Sequence, residues 1–265
     1  MVFPDLADKV ALVTGANGGV GFQAARKLAE SGAIVMINGR TTENCEKALA
    51  KLRQASDRID PDKCSFAVGD TSNYEDARRV AEQAGAINGG IDVLVSAGAH
   101  GAVRPMPFAD MSGQELAAAF NSRYFARINP VHAALPYLRV RGGAVVMLGT
   151  DAGRHATSGE SIVGAYGAAV ILTTKVLAKE FARWKIRVNA VSLTLTADTP
   201  GWDRIFSEQT FQTNLFGKAL DRFPFGRPPN AEEVARVVMF LASEGASQVT
   251  GQTLSANGGL SFGGW

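Results

Sequence analysis

The sequence predicts an α/β protein: a single doubly wound, Rossmann-like parallel sheet of about seven strands, with residues 1–265 forming one unit. Three observations predict it. Short apolar runs alternate with longer segments of helical period, the signature of βαβ units. The first run, Val10-Ala11-Leu12-Val13, leads through a glycine-rich turn into a helix. A length of 265 residues, with 46% hydrophobic and 20% charged side chains, suits one large core.

The elements follow in order. After the first strand, Phe22 to Ser31 reads as a helix stopped by Gly32. Ile34-Val35-Met36-Ile37 is the second strand, and a polar helix starts near Glu43. Ser65-Phe66-Ala67-Val68 is the third strand, with a helix from Asn73 onward. Asp92-Val93-Leu94-Val95 and Ala144-Val145-Val146-Met147-Leu148 are the fourth and fifth, separated by a long helix from Gly113 to about Leu138. A second long helix fills Ser161 to Trp184. Ile186 to Val191 and Gln252 to Ala256 close the sheet as sixth and seventh strands. No repeat, linker or low-complexity stretch breaks the alternation.

Composition narrows the function classes. A net charge of +2 offers no attraction to nucleic acid or to an anionic membrane surface. Cys45 and Cys64 lack metal-ligand spacing and read as reduced structural thiols. The N-terminus enters the first strand without a basic region or apolar leader, and no stretch approaches the roughly 20 apolar residues of a membrane span. The expectation is a cytoplasmic protein acting on a small molecule.

The turn after the first strand reads Thr14-Gly15-Ala16-Asn17-Gly18-Gly19-Val20-Gly21. Strand, glycine turn and helix in succession are the context of a dinucleotide fingerprint. Gly15 permits the tight turn; Gly19 and Gly21 permit backbone approach to a pyrophosphate, with Asn17 and Val20 between them. The helix start presents free N–H groups to phosphate. The second strand ends in Asn38-Gly39-Arg40, where an acidic residue would bind the ribose hydroxyls of NAD. Arg40 instead offers a guanidinium fork to a 2′-phosphate, which favours NADP(H). An exposed arginine with no such role is the alternative.

These motifs resemble the short-chain dehydrogenase/reductase family, over a span from about Leu6 to Gly259. The TGxxxGxG spacing matches at Thr14 to Gly21, and Lys175-Val176-Leu177-Ala178-Lys179-Glu180-Phe181 resembles the second half of the family's active-site helix. The resemblance implies adenine contacts from Asp70 and Thr71, and a cofactor turn at Ser96-Ala97-Gly98-Ala99 in place of Asn-Asn-Ala-Gly. It also implies a homodimer or homotetramer built through the closing segment.

The same resemblance exposes a departure. The family keeps an active-site Tyr-x-x-x-Lys and a serine thirteen residues before the tyrosine. Twelve residues before Lys175 stands Val163, and thirteen before that Thr150. The pair therefore reads Val163 and Gly167, which hold neither proton nor charge, while Thr150 retains a hydroxyl for a carbonyl oxygen. Tyr166, one turn after Val163, is a candidate donor, with a packing role as the equal alternative. Lys175 lies nine residues further, roughly 13 Å along the helix, too far to serve it. His100 and His155 follow strand ends and are candidate proton carriers, whereas His132 reads as structural. The family's asparagine maps to Asn121 by context or to Arg123 by its spacing from Leu135-Pro136. Val191 to Thr196 replaces the Ser-Pro-Gly run that guides the nicotinamide.

Residues 195–225 correspond to the family's substrate lid. They carry Trp202, Phe206, Phe211, Leu215, Phe216, Phe223 and Phe225. An apolar, ring-containing substrate is expected, with Asp203, Arg204, Glu208 and Lys218 able to sit on an opposite, solvated face; burial of the lid helix or a subunit contact is the equal alternative for these aromatics. Three functions remain open at this level. One is an atypical NADP(H)-dependent oxidoreductase acting on a carbonyl or activated double bond, using Thr150 with Tyr166, His155 or water. Another is a non-redox enzyme with Asp151, His155 and Glu160 as its acid/base set. The last is a non-catalytic NADP(H)-binding protein.

Overall fold

Seven parallel strands run side by side in the order β3-β2-β1-β4-β5-β6-β7. The computed structural model describes residues 2–99, 105–207 and 209–262. His100 and Glu208 therefore lie outside the described residues. The strands are β1 Val10–Thr14, β2 Ile34–Gly39, β3 Cys64–Val68, β4 Val93–Ser96, β5 Gly143–Thr150, β6 Ile186–Leu193 and β7 Thr253–Ser255. Every residue of β1 is buried, as expected for a central strand covered on both faces.

The helices cover the two faces separately. On one side lie α1 Gly19–Glu30, α2 Thr42–Arg53 and a helix the sequence reading did not assign, Ala231–Ala242. Its signal was present: Asn230 and Glu233 form a reciprocal capping box. On the other side lie α3 Tyr74–Gly85, the long helix to Leu138, and the helix from Ser161. In chain order, α4 is Gly113–Phe120, α5 Ala126–Leu138, α6 Ser161–Phe181, α7 Pro200–Phe206, α8 Phe211–Leu220 and α9 the capped helix Ala231–Ala242. Buried Lys27 of α1 donates to Glu232 of α9 at 2.9 Å, fixing those two helices together.

Three local expectations need correction. The helix expected from Phe22 begins at Gly19, because the glycine turn itself supplies its first residues. The helix expected unbroken from Gly113 to Leu138 contains a π turn at Asn121–Phe125, which re-phases everything after it. And Ser161–Trp184 is one helix long and apolar enough, by length and composition, to cross a membrane, with a mean hydropathy of 1.6. Its apolar residues divide between two environments: Val170, Ile171 and Phe181 are buried on the sheet, while Leu172 and Val176 stay exposed. Cys45 and Cys64 are both buried and unpaired with each other.

Candidate active site

The strand order reverses beside β1, between β1 and β4, and ligands of open α/β sheets bind at such points beyond the carboxyl strand ends. Here the carboxyl ends of β1 to β6 border one cleft of about 1280 Å³. The residues expected to bind the cofactor or take part in the reaction line it where they are described: Gly15, Asn17, Gly19, Val20, Gly21, Arg40, Asp70, Thr71, Ala97 and Gly98 toward one end, Thr150, His155 and Tyr166 toward the other.

The first end is shaped by backbone contact. Gly15 has φ +67°, and a Cβ there would lie 2.8 Å from the backbone of Ala97 and Gly98. A Cβ on Gly21 would overlap the carbonyl oxygen of Gly15. The β1–α1 turn thus sits on the β4 turn with no room for side chains, and both Ala97 and Gly98 N–H groups donate to Thr14 Oγ1, at 3.2 and 3.1 Å. No side chain caps the start of α1, so its first N–H groups face the cleft as an anion site. Arg40 stands exposed at the rim, beyond the Asn17–Gly39 contact. Asp70 Oδ1 is oriented by Ser72, whose N–H and hydroxyl donate to it at 3.0 and 2.7 Å. Thr71 is buried and donates to the Ala126 carbonyl at 2.9 Å. These features fit a dinucleotide pyrophosphate and adenosine.

At the second end Thr150 closes β5, its Oγ1 accepting from Ala152 N–H at 3.3 Å. Asp151 is buried, and Ser255, Asn257 and Ser261 all donate to its carboxylate, with Arg154 alongside at 3.5 Å. That carboxylate anchors the C-terminal arm rather than standing free as a base. His155 borders the cleft, and its Nε2 is buried with no partner among the described residues. Glu160 also lines the cleft; burial pushes its carboxyl above the usual range, against the opposing pull of the Thr157 hydroxyl and the Arg123 charge. His132 is away from the cleft, hydrogen-bonded to the Tyr74 hydroxyl at 2.7 Å.

Val163 presents only methyl groups to the cleft, and Gly167 touches the turn Asp151–Gly153 through its backbone. Tyr166 is 4% exposed and belongs to the core as well as to the cleft wall. The sequence reading left this tyrosine without a neighbouring cation. In the fold two guanidiniums flank its ring: Arg123 at 5.7 Å and Arg127 at 5.2 Å from the centroid. Both come from the π turn and the helix after it, a relation that spacing along α6 could not reveal. Between the two alternatives for the family's asparagine, Arg123 lines the cleft and Asn121 is exposed.

The lid segment forms α7 and α8. Trp202, Leu215 and Phe216 line the cleft, and Pro200 rests on Gly18 of the phosphate turn. Phe206 packs on Trp202, Phe211 lies against Gly159, Phe223 is buried beside Gly258, and Phe225 is 80% exposed. Asp203, Arg204 and Lys218 are exposed, and all three also border the cleft, so they do not sit on a face opposite to it.

Comparison with known proteins agrees with this geometry. Residues 15–261 match the family model described as enoyl-(acyl carrier protein) reductase. The chain is 31% identical to the 3-oxoacyl-(acyl-carrier-protein) reductase of Chlamydia trachomatis, over 96% of this chain and 98% of that one. It is 31% identical to the acetoacetyl-CoA reductase of an Acinetobacter species, over 95% and 97%. It belongs to the short-chain dehydrogenase/reductase family. Among solved structures, a short chain oxidoreductase of Pseudomonas aeruginosa PAO1 containing an atypical catalytic center, in its NADPH-bound form, superimposes with a TM-score of 0.87. That protein is 29% identical, and the match covers 97% of this chain and 98% of the other. Arg127, which the sequence reading did not single out, also lines the cleft. The available signal was Arg123 and Arg127 four residues apart on one otherwise apolar helical face.

Proposed function

We propose that the protein is an NADP(H)-dependent oxidoreductase that reduces a carbonyl or activated double bond without the Tyr-x-x-x-Lys pair. The supporting observation is continuity: one cleft joins the glycine cradle and Arg40 to Thr150, His155 and Tyr166. The N–H groups at the start of α1 would hold the pyrophosphate, Asp70 and Thr71 the adenosine side, and Arg40 the 2′-phosphate. When bound, the cofactor supplies hydride, leaving the protein to supply position and a proton. Thr150 Oγ1 accepts from Ala152 N–H, and its hydroxyl proton would be offered to a substrate oxygen. His155 Nε2, the Tyr166 hydroxyl or water would deliver the proton. The apolar body of the substrate would lie under Trp202, Leu215 and Phe216.

The test is titration of NADPH and NADH by fluorescence, followed by NADPH oxidation with a panel of cyclic and aromatic ketones. Tighter NADPH binding and turnover of a ketone support the reading; equal affinities or no turnover across the panel reject it. Tyr166→Phe and His155→Gln then assign the donor, since loss of a general acid typically costs about 10²–10⁴-fold in rate.

A further inference from the structure

Arg127 is 6% exposed, yet it carries a full positive charge on the cleft wall. Its Nε donates to the carbonyl of Leu148 on β5, and Nη1 donates to the Arg123 carbonyl at 2.6 Å. No described residue accepts from Nη2. The ionisable groups acting on it are Tyr166 and the like-charged Arg123, and burial works against its charged form. Removing a cation from water costs several kcal/mol unless an anion or a full hydrogen-bond set compensates. Two carbonyls and one ring face compensate only in part. The position is also built rather than incidental. The π turn Asn121–Phe125 sets the phase of α5, and Ser96 Oγ and Thr71 Oγ1 pin the Arg127 and Ala126 carbonyls at 2.8 and 2.9 Å. A buried, rigidly held guanidinium with a spare donor edge is a receptor for an anionic oxygen group.

We infer that the substrate of the proposed reductase is an oxo acid, whose carboxylate is bound at Arg127 while its apolar body lies under the lid. This rests on the reductase reading for the oxo group, but not for the acid. The site lies three strand spacings from Arg40 along the sheet, β2 against β5 with β1 and β4 between them, so it is not a second contact to the same 2′-phosphate.

The probes are 2-oxo-4-phenylbutanoate and 4-oxo-4-phenylbutanoate, each paired with its neutral amide. Binding is read by thermal shift with and without saturating NADPH, and turnover by NADPH oxidation. The expected result is that at least one acid binds about tenfold or more tightly than its amide, with the advantage shrinking at high salt. Arg127→Met should bring acid and amide within about threefold while NADPH affinity stays within the same margin, and Arg127→Lys should keep part of the preference. Equal binding of acid and amide by the parent protein overturns the inference. So does an acid preference that survives Arg127→Met, or a loss confined to NADPH affinity. Should Arg127→Met fail to fold, the acid–amide comparison and its salt dependence in the parent protein decide alone. Acid binding without NADPH oxidation sustains this inference and rejects the reductase reading; oxidation with acid and amide alike does the reverse.

Discussion

Alanine at Gly167 sets two opposed effects against each other, and the structure decides between them. Inside a helix, replacing glycine by alanine stabilises by about 0.5–1 kcal/mol, through lost backbone freedom in the unfolded chain. At Gly167 the new methyl would lie 2.8 Å from Thr150 Cγ2 and 2.9 and 3.0 Å from N and Cα of Gly153. Two of these atoms are backbone in the turn Asp151–Gly153, and the third belongs to a β-branched residue held by its bond to Ala152 N–H. None is the free end of a flexible chain. Inserting a methyl into such a contact typically costs about 1–3 kcal/mol, so the net change should be a loss of about 0.5–2 kcal/mol. Gly217 in α8 is the control, because nothing lies within 4 Å of a Cβ there and only the helical gain remains. For a chain of this size 1 kcal/mol moves Tm by about 2–4 °C. Gly217→Ala should therefore raise Tm by about 1–4 °C and Gly167→Ala lower it by about 1–8 °C, read by scanning calorimetry. A Gly167→Ala protein as stable as the parent would refute the reasoning. The same contact explains why adding the family's lysine is no repair: a Gly167→Lys side chain leaves the backbone through that blocked Cβ. Val163→Tyr/Gly167→Lys should be less stable than Val163→Tyr alone, and its ketone-reduction rate should not exceed that of the single variant.

Arg40→Ala should weaken NADPH by about 1.5 kcal/mol, the low end for a charge-assisted contact because Arg40 is exposed and screened, with NADH little changed; fluorescence titration at low and high salt checks it. The raised Glu160 carboxyl costs stability as pH rises from its ordinary 4.5 through its folded value, because the unfolded state ionises first. Glu160→Gln should therefore raise Tm at neutral pH and leave it unchanged at acid pH below that window. Glu232 is held down at about 2, chiefly by its hydrogen bond from Lys27 and then by Arg236. Its contribution is fully present above 4.5 and is lost as pH falls toward 2. Glu232→Gln should cost on the order of 1–2 kcal/mol at pH 7, after discount for a carboxylate one-third exposed, and nothing near pH 2. Urea unfolding at the two pH values measures it.

What was legible in the sequence was what local chemistry writes into consecutive residues. Val10 to Gly21 spells strand, glycine turn and helix start, because a backbone-to-backbone contact between Gly21 and Gly15 admits no other residue at that offset. The alternation of apolar runs carried all seven strands to within two residues at each end, since parallel strands buried on both faces are continuous apolar segments. The π turn at Asn121–Phe125 was invisible, because no residue type marks an inserted residue in a helix. It decided which side chains α5 shows to the cleft, so Arg127 was missed along with it. The role of Asp151 was equally hidden: its partners Ser255, Asn257 and Ser261 are more than a hundred residues away.

The reacting end of the cleft is coherent once these long-range contacts are taken together. In the family the lysine and tyrosine share one helix, so a charge and a proton are placed by spacing alone. Here Gly167 brings α6 into backbone contact with the β5 turn, which leaves no path for a side chain from that position. Positive charge enters instead from α5, where Arg127 bonds to the Leu148 carbonyl just ahead of Thr150. These groups are neighbours in space: Gly167 lies against Thr150, and Arg123 and Arg127 against Tyr166. A packed glycine, a re-phased helix and a buried cation thus lie about the Thr150 hydroxyl, which is the arrangement the proposed reductase would have to use.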